Sequence, residues 1–205
     1  MDTAFLITAF VTLFVIIDPI GMTPLFIALT QGQGRQQRRA IAVRACVLAF
    51  GILAAFALFG EQVLGFVGIS MPAFRIAGGL LLFLTALDML FERRTKRRED
   101  QSDQAEAPDP SVFPLAIPLI AGPGAIATVI LLAGQSPGIS GLALVLAVTA
   151  LVLAVVFALF LTASPLENAL GRTGINVVTR LLGMLLAALS VQFVLDGLKA
   201  FGFAA

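Results

Sequence analysis

The chain has 205 residues, of which 59% are hydrophobic and 12% are charged, and its formal net charge is +1. Its mean hydropathy of +1.02 excludes an ordinary soluble domain. The sequence contains no histidine, which excludes imidazole-ligated metals, and its single Cys46 excludes an intrachain disulfide. We find no phosphate loop, metal-ligand cluster or nucleophile–base pair, so we expect neither an enzyme nor a nucleic-acid partner.

Long apolar runs alternate with short polar segments, and this pattern predicts an all-α, polytopic membrane protein. A helix needs roughly 20 residues to cross a hydrocarbon core about 30 Å thick. The pattern predicts six transmembrane helices, over 4–30, 41–61, 66–91, 113–134, 141–163 and 177–201. Because the amino terminus lacks the basic region and cleavage site of a secretory signal, we expect the first span to be retained.

The distribution of basic residues predicts the orientation of these spans, because arginine and lysine favour cytoplasmic loops. The second and fourth loops, around Gly65 and Ser136, contain none. We therefore expect both termini to lie outside. The first, third and fifth loops contain Arg35, Arg38, Arg39 and Arg44; Arg93, Arg94, Lys96, Arg97 and Arg98; and Arg172.

The first span is interrupted near its middle by the segment IDPIGMTP, residues 17–24. Proline removes a backbone donor and glycine tolerates unwound backbone, so a broken helix is expected there. A charged Asp18 in mid-membrane costs about 2.5–3.5 kcal/mol, which favours a functional role: contact with a substrate ammonium group, a sodium ion or a transported proton. Alternatively, Asp18 caps a half-helix beginning at Pro19. Gly21 and Thr23 complete the predicted substrate site at this break.

A polar, acidic and proline-containing stretch, residues 92–112, separates two halves of the chain. We interpret it as a solvated, disordered cytoplasmic connector. The sequence thus predicts a first three-helix repeat over 1–91 and a second over 113–205.

The fourth span contains a matching interruption, AGPGAIAT at residues 121–128. It has no charged side chain, so its backbone amides are the expected binding groups. Gly122 and Gly124 would allow close approach of a ligand carboxylate, and Thr128 would add a hydroxyl. A zwitterionic amino acid fits the two breaks together, with amides for its carboxylate and Asp18 for its amine.

The two halves also resemble each other beyond the breaks. RIAGGLLLFLT at 75–85 aligns with RLLGMLLAALS at 180–190, an offset of 105 residues, close to the 104 between Pro19 and Pro123. Because each half has an odd number of spans, the second is inverted, an arrangement typical of alternating-access transporters.

Polar residues of the third and sixth spans are candidates for gating or helix pairing. Arg75 and Arg180 either cap or snorkel near an interface, contact the substrate, or pair between spans with Asp88 or Asp196. Gln192 would hydrogen-bond across helices or line the transport path.

The motif DPIG at 18–21, followed by Pro24 and Phe26, resembles the first-span signature of the MarC family of bacterial inner-membrane proteins. PLIAGPGAI at 118–126 resembles its fourth-span signature, and the segments 75–88 and 191–197 are similar to the third and sixth. The resemblance covers essentially the whole chain and implies a multi-pass inner-membrane protein. Archaeal relatives called SnatA are described as small neutral amino acid transporters, with glycine and alanine as substrates. Many relatives have Asn where this chain has Met22.

We therefore expect a secondary transporter of small neutral amino acids, driven by a sodium or proton gradient. We expect no bound cofactor or metal. If sodium is the coupling ion, it would bind near Asp18. The alternatives are an exporter or channel for another small solute or ion, and a nontransporting membrane scaffold. Small residues on several spans would serve either intrachain packing or association into a homo-oligomer.

Overall fold

The computed structural model describes residues 3–30, 32–91, 109–136 and 138–203, and among these residues it contains helices and turns but no strand. The third-loop basic cluster and most of the predicted linker, residues 92–108, lie outside the described residues. The helices are α1 (Thr3–Ile17), α2 (Thr23–Leu29), α3 (Arg35–Val67), α4 (Met71–Leu90), α5 (Ser111–Ile120), α6 (Pro123–Gln135), α7 (Ile139–Leu161) and α8 (Ala163–Ala200). The turns of α5 are wide and contain extended backbone at Phe113 and Ile117.

The described helices confirm a multi-pass membrane protein. Four of them are long and apolar enough to cross a bilayer: α3, α4, α7 and the part of α8 from Thr173 to Ala200. The pair α5 and α6, bent by 55° where they join, forms a fifth apolar stretch of sufficient length. The apolar α1 has 15 residues and is followed by the shorter α2.

The helices of the second and sixth spans extend beyond the predicted bounds. Helix α3 has 33 residues instead of the span at 41–61, and α8 has 38 instead of the span at 177–201. At about 1.5 Å per residue, α3 is roughly 50 Å long, so it extends well beyond the hydrocarbon core. Hydropathy detects the apolar part of a helix, whereas Arg and Gln, which favour helices, continue α3 into the polar region. Backbone with a φ of 63° at Gly171 interrupts α8.

The turn between α3 and α4 lies later than the loop expected around Gly65, which is inside α3. Gly68, with a left-handed φ of 82°, ends α3 and donates its N–H to the Gly65 carbonyl at 3.1 Å. Ser70 then caps α4, since its Oγ accepts a hydrogen bond from Ala73 N–H at 3.4 Å. The third span therefore begins at Met71 rather than at residue 66.

Glycines allow α4 and the second half of α8 to pack closely. A methyl group added to Gly79 would lie 2.8 Å from the Ser190 carbonyl oxygen, and one added to Gly183 would lie 2.9 Å from Met89 Cβ. A third such contact joins Gly197 to Ile76, with 2.6 Å to Cγ1. Residue numbers in these contacts rise along α4 from Ile76 to Met89 while they fall along α8 from Gly197 to Gly183. The two helices therefore run antiparallel.

Helix α6 lies in the middle of the bundle and contacts α1, α3 and α4. Its side chains from Val129 to Leu132 are buried. Gly60 of α3 packs against Ile130, and Gly78 of α4 packs against Leu131. This packing buries the middle of α6, whereas its first turn, which follows the second break, is only partly buried and Pro123 is exposed.

The last residues of the predicted linker, 109–112, are ordered, contrary to a connector that is disordered throughout. Asp109 accepts hydrogen bonds from Ser111 Oγ at 2.6 Å and from Ser111 N–H at 3.0 Å, and it forms an ion pair with Arg44 at 3.0 Å. The hydrogen bonds from Ser111, and then Arg44, lower the pKa of Asp109. These contacts hold the start of α5 against α3.

Candidate functional site

The first break joins α1 to α2 through residues 18–22, and Asp18 shapes the turn. Asp18 donates its N–H to the Phe14 carbonyl at 2.9 Å and then takes a left-handed φ of 56°. Most residues avoid this conformation, but Asp tolerates it because its short side chain can bond locally. Here Asp18 Oδ1 accepts a hydrogen bond from Gly21 N–H at 3.1 Å. The residue is completely buried.

The expectation that a half-helix begins at Pro19 is wrong. Residues 19–22 form a turn, and α2 begins at Thr23 with Met22 at the N-cap position. The side chain of Met22 accepts no capping hydrogen bond, so α2 begins without a side-chain cap. The hydrogen bond from Gly21 N–H to Asp18 has the spacing of a capping bond, but it stabilises the turn rather than a helix that starts at Pro19.

Gly21 and Thr23 each have a defined structural part in this turn. A methyl group on Gly21 would collide with the Asp18 carboxylate, so only glycine lets that carboxylate lie over the turn. The Thr23 hydroxyl donates a hydrogen bond to the Pro19 carbonyl at 3.2 Å. It thereby satisfies a backbone group that the break leaves outside regular helix pairing.

The second break joins α5 to α6 at Ala121 and Gly122. Gly122 is the N-cap residue of α6 and supplies no side-chain cap, and Pro123 occupies the first turn. The N–H groups that follow, those of Gly124 and Ala125, belong to the amides that a helix leaves without internal partners. Thr128 is fully buried, and its hydroxyl donates a hydrogen bond to the Gly124 carbonyl at 2.8 Å.

The helix ends that flank the two breaks contact each other. A methyl group on Gly124 would lie 2.7 Å from Ile16 Cδ1 and 3.6 Å from Leu82 Cδ2. Ile16 is two residues before Asp18, and Gly124 is two residues after the N-cap of α6. The first turn of α6 therefore lies beside the end of α1. Glycine at 124 has a packing function here, because a larger side chain would push Ile16 away.

The charged residues of the third and sixth spans are on helices that contain neither break. They lie on α4 and α8, and the glycine contacts between these helices bring Arg75 level with Asp196. Arg75 Nε is buried and has no hydrogen-bond partner among the described residues. Gln192 donates a hydrogen bond to Asp196 at 2.8 Å within α8, so the bond expected across helices is instead made inside one helix. Asp88 and Arg180 lie on the same two helices, towards the opposite end of the pair.

Thr12 is a candidate that the sequence analysis missed. It lies on α1 one turn before Ile16, is completely buried, and its hydroxyl has no hydrogen-bond partner within the described residues. A buried hydroxyl without a partner costs about 1–3 kcal/mol. The available signal was a threonine one turn before Ile16 and on the same helix face.

The breaks offer complementary chemistry at one depth in the protein. The start of α6 presents amide donors and the partial positive charge of a helix amino terminus. The first break presents the oxygens of a buried carboxylate, Asp18. Such a site can hold a small molecule that has an anionic and a cationic group close together.

Comparisons with known proteins agree with this membrane architecture. The profile of the MarC family integral membrane proteins matches residues 3–201. The chain is 38% identical over 202 residues to the UPF0056 membrane protein MJ1677 of Methanocaldococcus jannaschii, covering 97% of this chain and 98% of that protein. It is 38% identical over 203 residues to the UPF0056 membrane protein YvbG of Bacillus subtilis, covering 97% and 96%. No solved structure matches the chain.

Proposed function

Because the chain belongs to the MarC family of integral membrane proteins, we propose that it is a secondary transporter of small neutral amino acids of the glycine and alanine class. A sodium or proton gradient drives transport across a bacterial inner membrane. The observation that carries this proposal is the contact between the two helix breaks, where Gly124 packs against Ile16 two residues before the buried Asp18. Contacting breaks of this kind form the substrate sites of many transporters.

The substrate carboxylate binds at the start of α6, where the amides of Gly124 and Ala125 and about half a positive charge from the helix favour an anion. The substrate ammonium group binds Asp18, and a sodium ion or a transported proton is bound at the same carboxylate. Ile16 and Leu82 pack against Gly124 and leave little room for a substrate side chain. That packing favours glycine and alanine over larger amino acids.

Six spans form an inverted repeat in this proposal, with α1–α2 and α5–α6 as the broken first and fourth spans, and residues 1–91 and 113–205 as the two units. In this repeat, α1, α2, α3 and α4 correspond to α5, α6, α7 and α8. The helix contacts support it, because corresponding helices make corresponding contacts: α1 contacts α7 and α5 contacts α3, while α2 contacts α8 and α6 contacts α4. Helices α3 and α7, and α4 and α8, each pack on their own counterpart. The tendency of basic loops to be cytoplasmic supports termini on the periplasmic side.

Transport then proceeds by alternating access, in which one repeat moves against the other around the site. Arg75 and Asp196, level with each other on α4 and α8, are the gating candidates at one end. Asp88 and Arg180 are the gating candidates at the other end of the helix pair.

Uptake of radiolabelled glycine or alanine into proteoliposomes tests the function. We expect accumulation that requires an inward sodium or proton gradient and that stops when an ionophore removes it. Folded protein that takes up none of the small neutral amino acids under either gradient contradicts the proposal. Ionic current in a planar bilayer without gradient-coupled accumulation identifies a channel instead.

A further inference from the structure

An apolar cleft of about 330 Å³ lies between α3 and α7, away from both helix breaks. It is open at the surface of the bundle, where Val43 and Val47 are 42% and 64% exposed. In a membrane-spanning protein, this surface faces the acyl chains of the bilayer. The cleft is lined by Val43, Val47 and Phe50 of α3 and by Ala150, Ala154 and Phe157 of α7.

The helix face that lines the cleft continues into basic residues at the amino-terminal end of α3. Arg39 lies four residues before Val43, and Arg35 lies four residues before Arg39. Residues four apart share one face of a helix, so both arginines extend the line of the cleft. Arg44 lies on a different side of α3, since one residue turns the helix by about 100°.

The four arginines of this region differ in their partners. Arg38 Nε donates a hydrogen bond to Thr30 Oγ1 at 2.8 Å, and Arg44 forms its ion pair with Asp109 at 3.0 Å. Within the described parts of the chain, neither Arg35 nor Arg39 has a hydrogen-bonded or ion-paired side chain, and both are exposed. Among the described residues, the two arginines in line with the cleft are therefore those whose side chains can bind an external anion without breaking another contact.

We propose that this cleft binds an anionic phospholipid, with an acyl chain between α3 and α7 and the phosphate-bearing headgroup at Arg39 and Arg35. From Val43 to Phe50 the lining extends about 10 Å along α3, and Arg39 lies one turn, about 6 Å, beyond it. An apolar channel that ends at a pair of cations matches the two chemical parts of such a lipid.

A second copy of the chain fits this surface less well. Symmetric membrane dimers have their two-fold axis along the membrane normal and bring equal depths of the two copies together. Arg35 and Arg39 would then approach the same arginines of the other copy. Like charges repel there, whereas an anionic lipid neutralises them.

The chain has no Trp and no Tyr, so a single introduced tryptophan reports only its own surroundings. Val47→Trp places the probe in the cleft, and Leu84→Trp, at a 60% exposed position of α4, is the matched control. Each protein is reconstituted in vesicles that contain brominated phosphatidylglycerol or brominated phosphatidylcholine with identical chains. We expect phosphatidylglycerol to quench the cleft probe preferentially and both lipids to quench the control probe alike. If Val47→Trp does not fold, Ala154→Trp probes the cleft from α7.

Charge variants separate this site from general attraction to the membrane. Arg39→Gln in the Val47→Trp protein is expected to reduce the preference for phosphatidylglycerol about fivefold, because one arginine near an anionic surface contributes roughly that factor. Arg44→Gln removes an arginine on a different side of α3 from the cleft. This change is expected to leave the preference for phosphatidylglycerol unchanged. Equal quenching by the two lipids, or a preference that survives Arg39→Gln, overturns the proposal. A cleft probe shielded from both lipids identifies a second copy as the occupant and also overturns it.

Discussion

The two helix breaks each interrupt an apolar helical stretch, but by different chemistry. At the first, a side chain makes the turn: Asp18 takes a left-handed φ of 56° and bonds Gly21 N–H, while Gly21 leaves room for the carboxylate. At the second, backbone alone is used, since Gly122 supplies no side-chain cap to α6. The difference leaves a buried carboxylate at the first break and a helix amino terminus, with its partial positive charge, at the second.

The largest effect is expected from removing the charge at the first break. Asp18→Asn keeps an oxygen that can accept the hydrogen bond from Gly21 N–H, so the turn and the fold should persist. Uptake of glycine or alanine into proteoliposomes should fall about 10- to 100-fold, because a charged hydrogen bond is worth about 1.5–3 kcal/mol. Glu61→Gln, which changes an exposed carboxylate of α3 outside both breaks, is the control for net charge. Full transport by Asp18→Asn would exclude Asp18 from the site.

Glycine replacements test how each break is packed. Gly124→Ala should lower the free energy of unfolding by about 1–3 kcal/mol, the usual cost of overpacking, because its methyl group would lie 2.7 Å from Ile16 Cδ1. Adding Ile16→Ala removes that atom, so the double variant should show less than the sum of the two single losses. Thermal unfolding in detergent measures these values. Strict additivity would contradict the contact between the breaks.

Gly21→Ala provides the contrasting case at the first break. Its methyl group would collide with the Asp18 carboxylate, so the variant should lose both stability and transport. Ile16→Ala should not restore either property, because the obstructing atoms belong to Asp18. Rescue of Gly21→Ala by Ile16→Ala would show that the two breaks are not packed as described.

Two threonines, each one turn from the contact between Ile16 and Gly124, should respond differently to removal of the hydroxyl. Thr12 has no hydrogen-bond partner within the described residues, so Thr12→Val should raise the free energy of unfolding by about 1 kcal/mol. The hydroxyl of Thr128 bonds the Gly124 carbonyl at 2.8 Å, so Thr128→Val should not stabilise the protein. A lower melting temperature for Thr12→Val would reveal a partner for that hydroxyl.

Much of the site could be predicted from sequence, because the cause of each break is local. Proline and glycine interrupt a helix wherever they lie, so the positions of Pro19 and Pro123 indicated both interruptions. Which residues begin α2 could not be predicted, because the left-handed Asp18 and its bond to Gly21 delay the helix to Thr23. The contact of Gly124 with Ile16 joins residues more than 100 positions apart and depends on the packing of α1 against α6.

Helix ends and polar pairs were predicted less well, and for a common reason. A hydropathy profile reports how apolar a segment is and does not report which hydrogen bonds it makes. It therefore misses the polar first turns of α3. It also does not distinguish a Gln192 that bonds Asp196 four residues later from one that reaches another helix. Thr12 was overlooked because nothing local marks a threonine as lacking a partner.

The smallest effect is expected at Asp109, outside the bundle core. Its pKa is lowered by Ser111 and Arg44, so its stabilising contacts are present above the ordinary pKa of Asp and are lost as the pH falls through the lowered value. Asp109→Asn removes the ion pair with Arg44, and an exposed ion pair contributes about 0–1 kcal/mol. Melting temperature near neutral pH should therefore fall slightly, and the difference from wild type should disappear in strong acid. A difference that grows in acid would contradict this assignment.

The central claim, that the two breaks hold the opposite charges of one substrate, is tested most directly by comparing the binding of alanine and propionate, which lacks the amine. Isothermal titration should show that wild-type protein binds alanine about 10- to 100-fold more tightly than propionate, and that this ratio falls close to one in Asp18→Asn. Propionate affinity should be retained, since the start of α6 is unchanged. An alanine preference that persists undiminished in Asp18→Asn would contradict the account.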